Sequence, residues 1–459
     1  MFYQPRRLLI AFLLAGFSLS TLCSVNAQDG KQYDKKSDPK VNRRDGLAML
    51  KAINDIVKRY YFDPDFRGLN LSEKYIAAEQ LIKQQDYRWQ IHRTIAQFLL
   101  DFNDSHTVFF PPDRLFRVEY GFSMMIIGEN CFVTAVTKQS GAGTSGLAAG
   151  DRIESINGIS PNRSNFWAIN YLIYTLDPQE NLTIKVEKAD GKKSIDVKAK
   201  FLSPEERKAE RQKRKKEEEA KPYTCRTLTP EVITCKLRTF VVEKEVVDKM
   251  MKEVAGYKKL VFDLRGNGGG YVATEQYLTG YFFDRKVKVG TEVKRDGKKE
   301  RFAAPIENPF AGELLVVIDS QSASASEVFS RTIQIENRGK VLGDTSMGAV
   351  MTSGGIWMSL DAGTASIDFI ATRNFSVNIT IGDLIMSDGN RLEGIGVTPD
   401  HLVGPTPAAL AMRTDPVLAF AASLAGVAIT PEKAAELNFF IPKGEEESDK
   451  ETEGSVAGS

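Results

Sequence analysis

Histidine is scarce in this chain: three occur in 459 residues, His92, His106 and His401. They lie far apart, and no Cys/His spacing reads as a zinc site, so no metal is expected. An excess of one charge is missing as well. Lys+Arg number 61 against 60 Asp+Glu, a formal net charge of +1, which excludes a global field aimed at nucleic acid or an anionic membrane. The glycine-rich stretch Arg265-Gly-Asn-Gly-Gly-Gly270 has neither a following Lys-Ser/Thr nor G-x-G-x-x-G spacing, which argues against a phosphate cradle. No organic cofactor is implied.

At 459 residues there is room for two to four domains. Arg6-Arg7, the apolar run Leu8 to Phe17 and the small residues Val25-Asn26-Ala27 follow the order of an export leader over residues 1–27. The expected location is therefore periplasmic or secreted. Cys23 raises lipid attachment, and with it a lipoprotein, as the alternative, although Ser20-Thr21-Leu22 fits such sites poorly. Cysteine is limited to four residues. Cys225 and Cys235 flank Thr229-Pro230-Glu231 symmetrically; in a hairpin they stand opposite each other, as a disulfide or as two free thiols. Cys131 is then left over as a buried apolar residue.

Residues 28–115 read as a helical domain. Leu47, Leu50, Ile53, Ile56 and Val57 form one stripe, and Tyr75, Ala78, Leu81 and Ile82 another. The domain ends in a turn at Asp104-Ser-His-Thr107, before the helix-stopping Pro111-Pro112. Residues 116–202 are strand-rich. Residues 203–222 are nearly all charge, with balancing glutamates and no aromatic interleaving, which fits a linker better than a nucleic-acid stripe. An α/β core is expected over 223–430, with a last helix from Asp415-Pro416 to Leu424, and an acidic tail over 431–459.

The core is organised around Glu313-Leu-Leu-Val-Val-Ile318, a continuous apolar run fit for a buried parallel strand. Small residues follow, then helical spacing from Glu327 to Ile335. Strand, tight turn and helix put one hydroxyl on a bend at a helix N-terminus, with backbone N–H groups aimed at a developing oxyanion. The same sequence of elements recurs around Gly266 to Gly270, where glycine lets backbone N–H groups approach a reacting carbonyl.

Two resemblances attach to these residues. Gly146-Leu-Ala-Ala-Gly-Asp-Arg-Ile153 through Ile156-Asn-Gly158 resembles a PDZ domain, with Tyr120-Gly121-Phe122-Ser123 at the carboxylate-binding loop. The order of helical domain, PDZ-like β-domain, Asp263-Leu-Arg-Gly-Asn-Gly-Gly-Gly270 and Ser322-Ala-Ser-Ala-Ser-Glu327 resembles the C-terminal processing (tail-specific) serine peptidases over nearly the whole mature chain. That resemblance implies a multidomain α/β fold with a crotonase-like core of ββα units. It also implies a serine endopeptidase acting on unfolded proteins or peptide C-termini. Ser324 then stands at the nucleophile, and the amides of Ala325 and of Gly269 or Gly270 at the oxyanion hole.

One departure sets the subtype. Ser–Lys members carry a lysine in a turn that here reads Gly343-Asp-Thr-Ser-Met-Gly-Ala349, with alanine in its place. Lys340 precedes the strand and reads as a surface residue. Asp104-Ser-His-Thr107 and Glu393 in Glu-Gly-Ile-Gly-Val-Thr-Pro-Asp400 resemble the tricorn-core branch, where Ser–His–Ser–Glu replaces Ser–Lys. The roles so implied are His106 as general base, with Ser105 bridging Glu393 to it. A catalytically silent peptide-binding protein on the same scaffold is the competing expectation. An acyl-thioester enzyme is a third, disfavoured by the leader. Substrate identity and oligomeric state are not encoded legibly.

Overall fold

Glu313–Ile318 is apolar at every position after the first because both of its faces are covered. Leu314, Val316 and Ile318 point into one core cluster, and Leu315 and Val317 into another. In this computed structural model the described residues are 43–112, 117–203, 205, 206, 208–210, 212, 221–361, 364–366, 374–437 and 439. The leader, Cys23, most of the charged linker and the acidic end of the chain lie outside them.

The strand lies near the middle of a six-stranded sheet. From one edge the order is His401–Leu402, Lys340–Gly343, Glu313–Ile318, Lys259–Asp263, Val232–Leu237 and Tyr223–Thr229. All neighbours are parallel except the last pair, an antiparallel hairpin in which Cys225 stands opposite Cys235. These two cysteines are bonded, with 4.1 Å between their Cα atoms. Helices Lys244–Val254, Val272–Gly280 and Ala325–Ile335 cover one face, and Pro416–Leu424 the other. The chain continues beyond Leu424 into a further helix, Pro431–Ala435, whose Ala434 is buried in the second cluster.

A second, antiparallel sheet joins Val287–Lys294, Gly297–Ala303, Thr352–Asp361, Thr364–Ser366 and Asn374–Met386, with Val108–Phe110 added against the last of these. Its Met358, Phe375, Val377 and Ile379 pack on the N-terminal helices Arg43–Tyr60, Leu71–Gln84 and Arg88–Leu100. The first of these helices buries Leu50, Ile53, Ile56 and Val57, as its periodicity predicts. In the second helix Leu81 is half exposed instead of buried. The buried positions there are Leu71, Ala78 and Ile82. Leu81 precedes Ile82 by one residue, about 100° round the helix from the stripe.

Residues 122–198 form a five-stranded antiparallel sheet in sequence order, with Phe166–Tyr171 packed on it. Cys131 is a buried free thiol, and burial pushes its pKa up to about 12. Phe122–Ile127, the first strand, pairs on one side only among the described residues. Its far end docks on the core. Ser320 Oγ donates to the Ile126 carbonyl at 2.5 Å, and Gly128 N–H donates to Asp344 at 2.9 Å. Arg163 reaches the same Asp344 at 2.7 Å. No helix among the described residues is long and apolar enough to cross a membrane.

Candidate active site

Ser324 caps the helix Ala325–Ile335 with φ 54° and ψ −117°. A non-glycine residue held there costs on the order of 1–3 kcal/mol, so its surroundings must over-determine it. They do so on both sides. Ala323 N–H donates to the Asn267 carbonyl at 3.0 Å, and Ser326 Oγ donates to the same oxygen at 2.9 Å. Ser322 Oγ donates to the Leu264 carbonyl at 2.8 Å. Ser324 N–H donates to Glu327 Oε2 at 2.9 Å. The sharp strand-to-helix bend expected from the run of small residues is present, with the Ser324 side chain partly exposed at its apex.

Glu327 is fully buried under this bend. Besides Ser324 N–H it accepts Ser346 Oγ at 2.6 Å, Gly348 N–H at 2.7 Å and Ala349 N–H at 2.9 Å. Burial pushes its pKa up to about 7, while these four donors favour the charged form. The turn over 346–349 is therefore wrapped around the Glu327 carboxylate. Ala349, where a Ser–Lys enzyme would carry its lysine, shares Glu327 Oε2 with the Ser324 amide.

The same turn carries the second acid. Val350 N–H donates to Glu393 Oε2 at 3.0 Å. Glu393 in turn holds Ser105 twice, from its N–H at 2.8 Å and from its Oγ at 3.0 Å. Ser105 Oγ lies 2.6 Å from His106 Nδ1. Glu393, Ser105 and His106 thus form one hydrogen-bonded line, although 288 residues separate the glutamate from the serine. Burial lowers the His106 pKa, and the Glu393 and Asp104 carboxylates oppose the shift. The ring is biased toward its neutral, proton-accepting form.

Asp104, the first residue of the motif and one given no role there, builds the turn that presents this histidine. Its carboxylate is buried and accepts His106 N–H at 3.0 Å, Thr107 N–H at 2.7 Å and Thr107 Oγ1 at 2.9 Å. Tyr61, the residue just after the first helix, and Thr380 from the second sheet each donate to it at 2.8 Å. An aspartate two residues ahead of the N–H it captures is the signature of an Asx-turn, and that was available in the sequence. The partners on Tyr61 and Thr380 were not.

The glycine loop closes against the Ser324 bend. A Cβ on Gly269, which has φ +92°, would lie 2.7 Å from Ser324 Cβ and 2.9 Å from Ala325 N. At Gly270 a Cβ would meet the Phe240 and Val241 backbone at 2.4 Å. The two glycines differ in what their amides do. Gly269 N–H donates to Asn267 Oδ1 at 2.9 Å, whereas Gly270 N–H makes no hydrogen bond among the described residues. The loop is anchored from below by Arg265, buried and paired with Asp263 at 2.7 Å and with Asp415 at 2.8 Å.

Ser324, Gly269, Gly270 and Ala325 are thus brought together, as are Ser105, His106 and Glu393. The 346–350 turn bridges the two groups. No hydrogen bond joins Ser324 Oγ to His106 among the described residues, and none joins Ser324 to a lysine. Lys340 is exposed, and Lys236, the buried lysine nearby, donates to the Arg265 carbonyl at 2.7 Å. The Tyr120 side chain is sealed in the core with its hydroxyl on the Gln179 carbonyl at 2.9 Å, so it is not open to a ligand. Gly121 packs against the Ser140 side chain, Phe122 is buried, and Ser123 is half-buried on the edge strand. Among the described residues no cluster of His, Cys, Asp or Glu is arranged to hold a metal.

Residues 232–403 match the model for peptidase family S41, a span that contains Ser324, the glycine loop and Glu393 but not His106. The carboxy-terminal processing protease CtpB of Bacillus subtilis is 27% identical over 148 residues, covering 32% of this chain and 28% of that protein. A probable CtpA-like serine protease of Staphylococcus aureus is 22% identical over 384 residues, 77% of this chain and 70% of that one. The structure of mature CPAF complexed with lactacystin shares the fold with a TM-score of 0.60 at 12% identity, covering 81% of this chain and 95% of that one. Residues 232–403 thus match peptidase family S41, and the chain is similar to carboxy-terminal processing serine proteases.

Proposed function

We propose that the chain is an exported serine endopeptidase that cleaves unfolded or C-terminally presented polypeptides through an acyl-enzyme. Ser324 attacks the scissile carbonyl. His106 takes the hydroxyl proton and returns it to the leaving amine; Ser105 and Glu393 hold the ring in the tautomer that leaves Nε2 free to accept. Ala325 N–H and Gly270 N–H receive the negative charge that develops on the carbonyl oxygen. Gly269 is withdrawn from that role because its N–H is occupied by Asn267. The absence of a Ser324–His106 hydrogen bond is compatible with this role, since catalytic hydrogen bonds often tighten only when substrate is bound.

The observation that carries the reading is the line from Glu393 through Ser105 to His106, held by the turn that also wraps Glu327 beneath Ser324. It supplies a base where alanine stands in place of the family's lysine. The one-sided strand Phe122–Ile127 supports capture of an extended substrate by strand addition in the PDZ-like domain. The test is degradation of casein by the mature chain from Gln28 and by its Ser324→Ala variant. Cleavage lost in the variant supports the peptidase. Binding of a C-terminal peptide without cleavage by either protein would make the chain a binding module on a peptidase scaffold.

A further inference from the structure

Asn267 is fully buried and uses every group it has on the parts of the candidate site. Its Oδ1 accepts Gly269 N–H at 2.9 Å, and its Nδ2 donates to the Leu237 carbonyl on the neighbouring strand at 3.0 Å. Its own carbonyl accepts Ala323 N–H at 3.0 Å and Ser326 Oγ at 2.9 Å, one residue before and two after Ser324. Its N–H donates to the Leu264 carbonyl at 3.1 Å, which closes the turn. A second bridge runs parallel to it, since Asp319 on the nucleophile side accepts Gly266 N–H at 2.9 Å.

We propose that Asn267 is the positioning residue that couples the glycine loop to the nucleophile bend and selects Gly270 N–H as the donor facing the reacting carbonyl. This rests on the peptidase reading above. The donor is selected by elimination within the loop. Two adjacent glycine amides are available near Ser324, and an oxyanion hole works only if its donors are fixed where charge develops. By taking Gly269 N–H into the protein, the amide removes one donor from the cavity. It also fixes the Gly268–Gly269 peptide plane; the next plane, which carries Gly270 N–H, is held from its other side by Phe240 N–H at 2.8 Å and Thr239 Oγ1 at 3.3 Å, both donating to the Gly269 carbonyl. Because the Asn267 carbonyl holds Ala323 and Ser326, the distance between the glycine loop and Ala325 N–H is set by the same residue. Asparagine suits the position because a single side chain must accept from Gly269 and donate to Leu237 at once. Aspartate keeps the acceptor but loses the donor, and alanine loses both.

The test uses the mature chain and its Asn267→Ala, Asn267→Asp and Ser326→Ala variants. Three readouts are taken: casein turnover, affinity for a peptide boronic acid whose tetrahedral adduct on Ser324 places an oxygen in the hole, and affinity for a cleavage-product peptide. The expected result is a kcat lowered by about 10²-fold in Asn267→Ala and Asn267→Asp, the scale of a lost oxyanion donor. Boronate affinity falls in parallel while KM and product-peptide affinity stay unchanged. Ser326→Ala shows the same pattern more weakly. A merely structural role would lower the melting temperature and the active fraction without moving kcat per active site, and that outcome overturns the assignment. If the Asn267 variants do not fold, Ser326→Ala decides: kcat and boronate affinity both at the wild-type level overturn the proposal. A wild-type chain that neither degrades casein nor takes up the boronate overturns the peptidase reading first, and this assignment with it.

Discussion

Glu327 and Glu393 are two glutamates served by one turn, yet they are built for different work. Glu327 is sealed from solvent and accepts four hydrogen bonds, three of them from backbone amides, with no titratable partner. Glu393 is half-buried, and one of its partners, Ser105 Oγ, goes on to meet a histidine ring nitrogen at 2.6 Å. A carboxylate surrounded by backbone donors fixes chain geometry, here the strained Ser324 bend and the turn behind it. A carboxylate whose partner is a hydroxyl with a further contact orients a proton acceptor. Counting what each oxygen accepts separates a scaffold acid from a relay acid where residue type alone does not.

Ways to break that comparison can be ranked by expected effect. Ser324→Ala should abolish casein cleavage, on the scale of about 10⁶-fold in kcat that loss of a serine nucleophile costs. His106→Ala should follow closely, because without it no base touches the relay. Glu327→Gln should damage activity and stability together: an amide nitrogen would face two of the four donors, leaving buried N–H or O–H groups unpaired at about 1–3 kcal/mol each. A thermal melt beside a kcat measurement checks this, and a normal melting temperature would contradict the scaffold role. Glu393→Gln and Ser105→Ala should lower kcat by less than His106→Ala and leave the melting temperature near wild type. A melting temperature that falls as far as in Glu327→Gln would erase the distinction between the two acids.

The pH profile sharpens the same point. Burial lowers the His106 pKa below its ordinary 6.5, so the neutral base persists to lower pH. The acid limb of kcat/KM should therefore rise with pH and be complete at lower pH than an unperturbed imidazole would give. An acid limb centred above 6.5 would contradict it. Lys340→Ala, at the exposed start of its strand, should change nothing.

Legibility in the sequence followed the distance over which each feature is assembled. The bend at Ser324 was readable because strand, turn and helix lie within Glu313 to Ile335 and each has its own periodicity. The glycine loop was readable for the same reason, but its Gly269/Gly270 ambiguity was not resolvable there. The choice depends on where the Asn267 side chain points once it also reaches Leu237 on another strand. The proposed base, His106, was legible only through resemblance. Nothing local in Asp104-Ser-His-Thr107 announces that Glu393 closes on Ser105 across 288 residues. The four-donor cradle of Glu327 was invisible, since three of its donors come from a turn about twenty residues on whose own sequence reads only as loop. Burial of the Tyr120 ring was not legible either, because position in a motif says nothing about which side chains enter the core.

The central claim is that His106, and no lysine, activates Ser324. The most direct measurement is the rate at which a fluorophosphonate labels Ser324 in the wild type and in His106→Ala at neutral pH. The account predicts rapid labelling of the wild type and none of the variant, with the fold of both intact by circular dichroism. Equal labelling of the two proteins would contradict it.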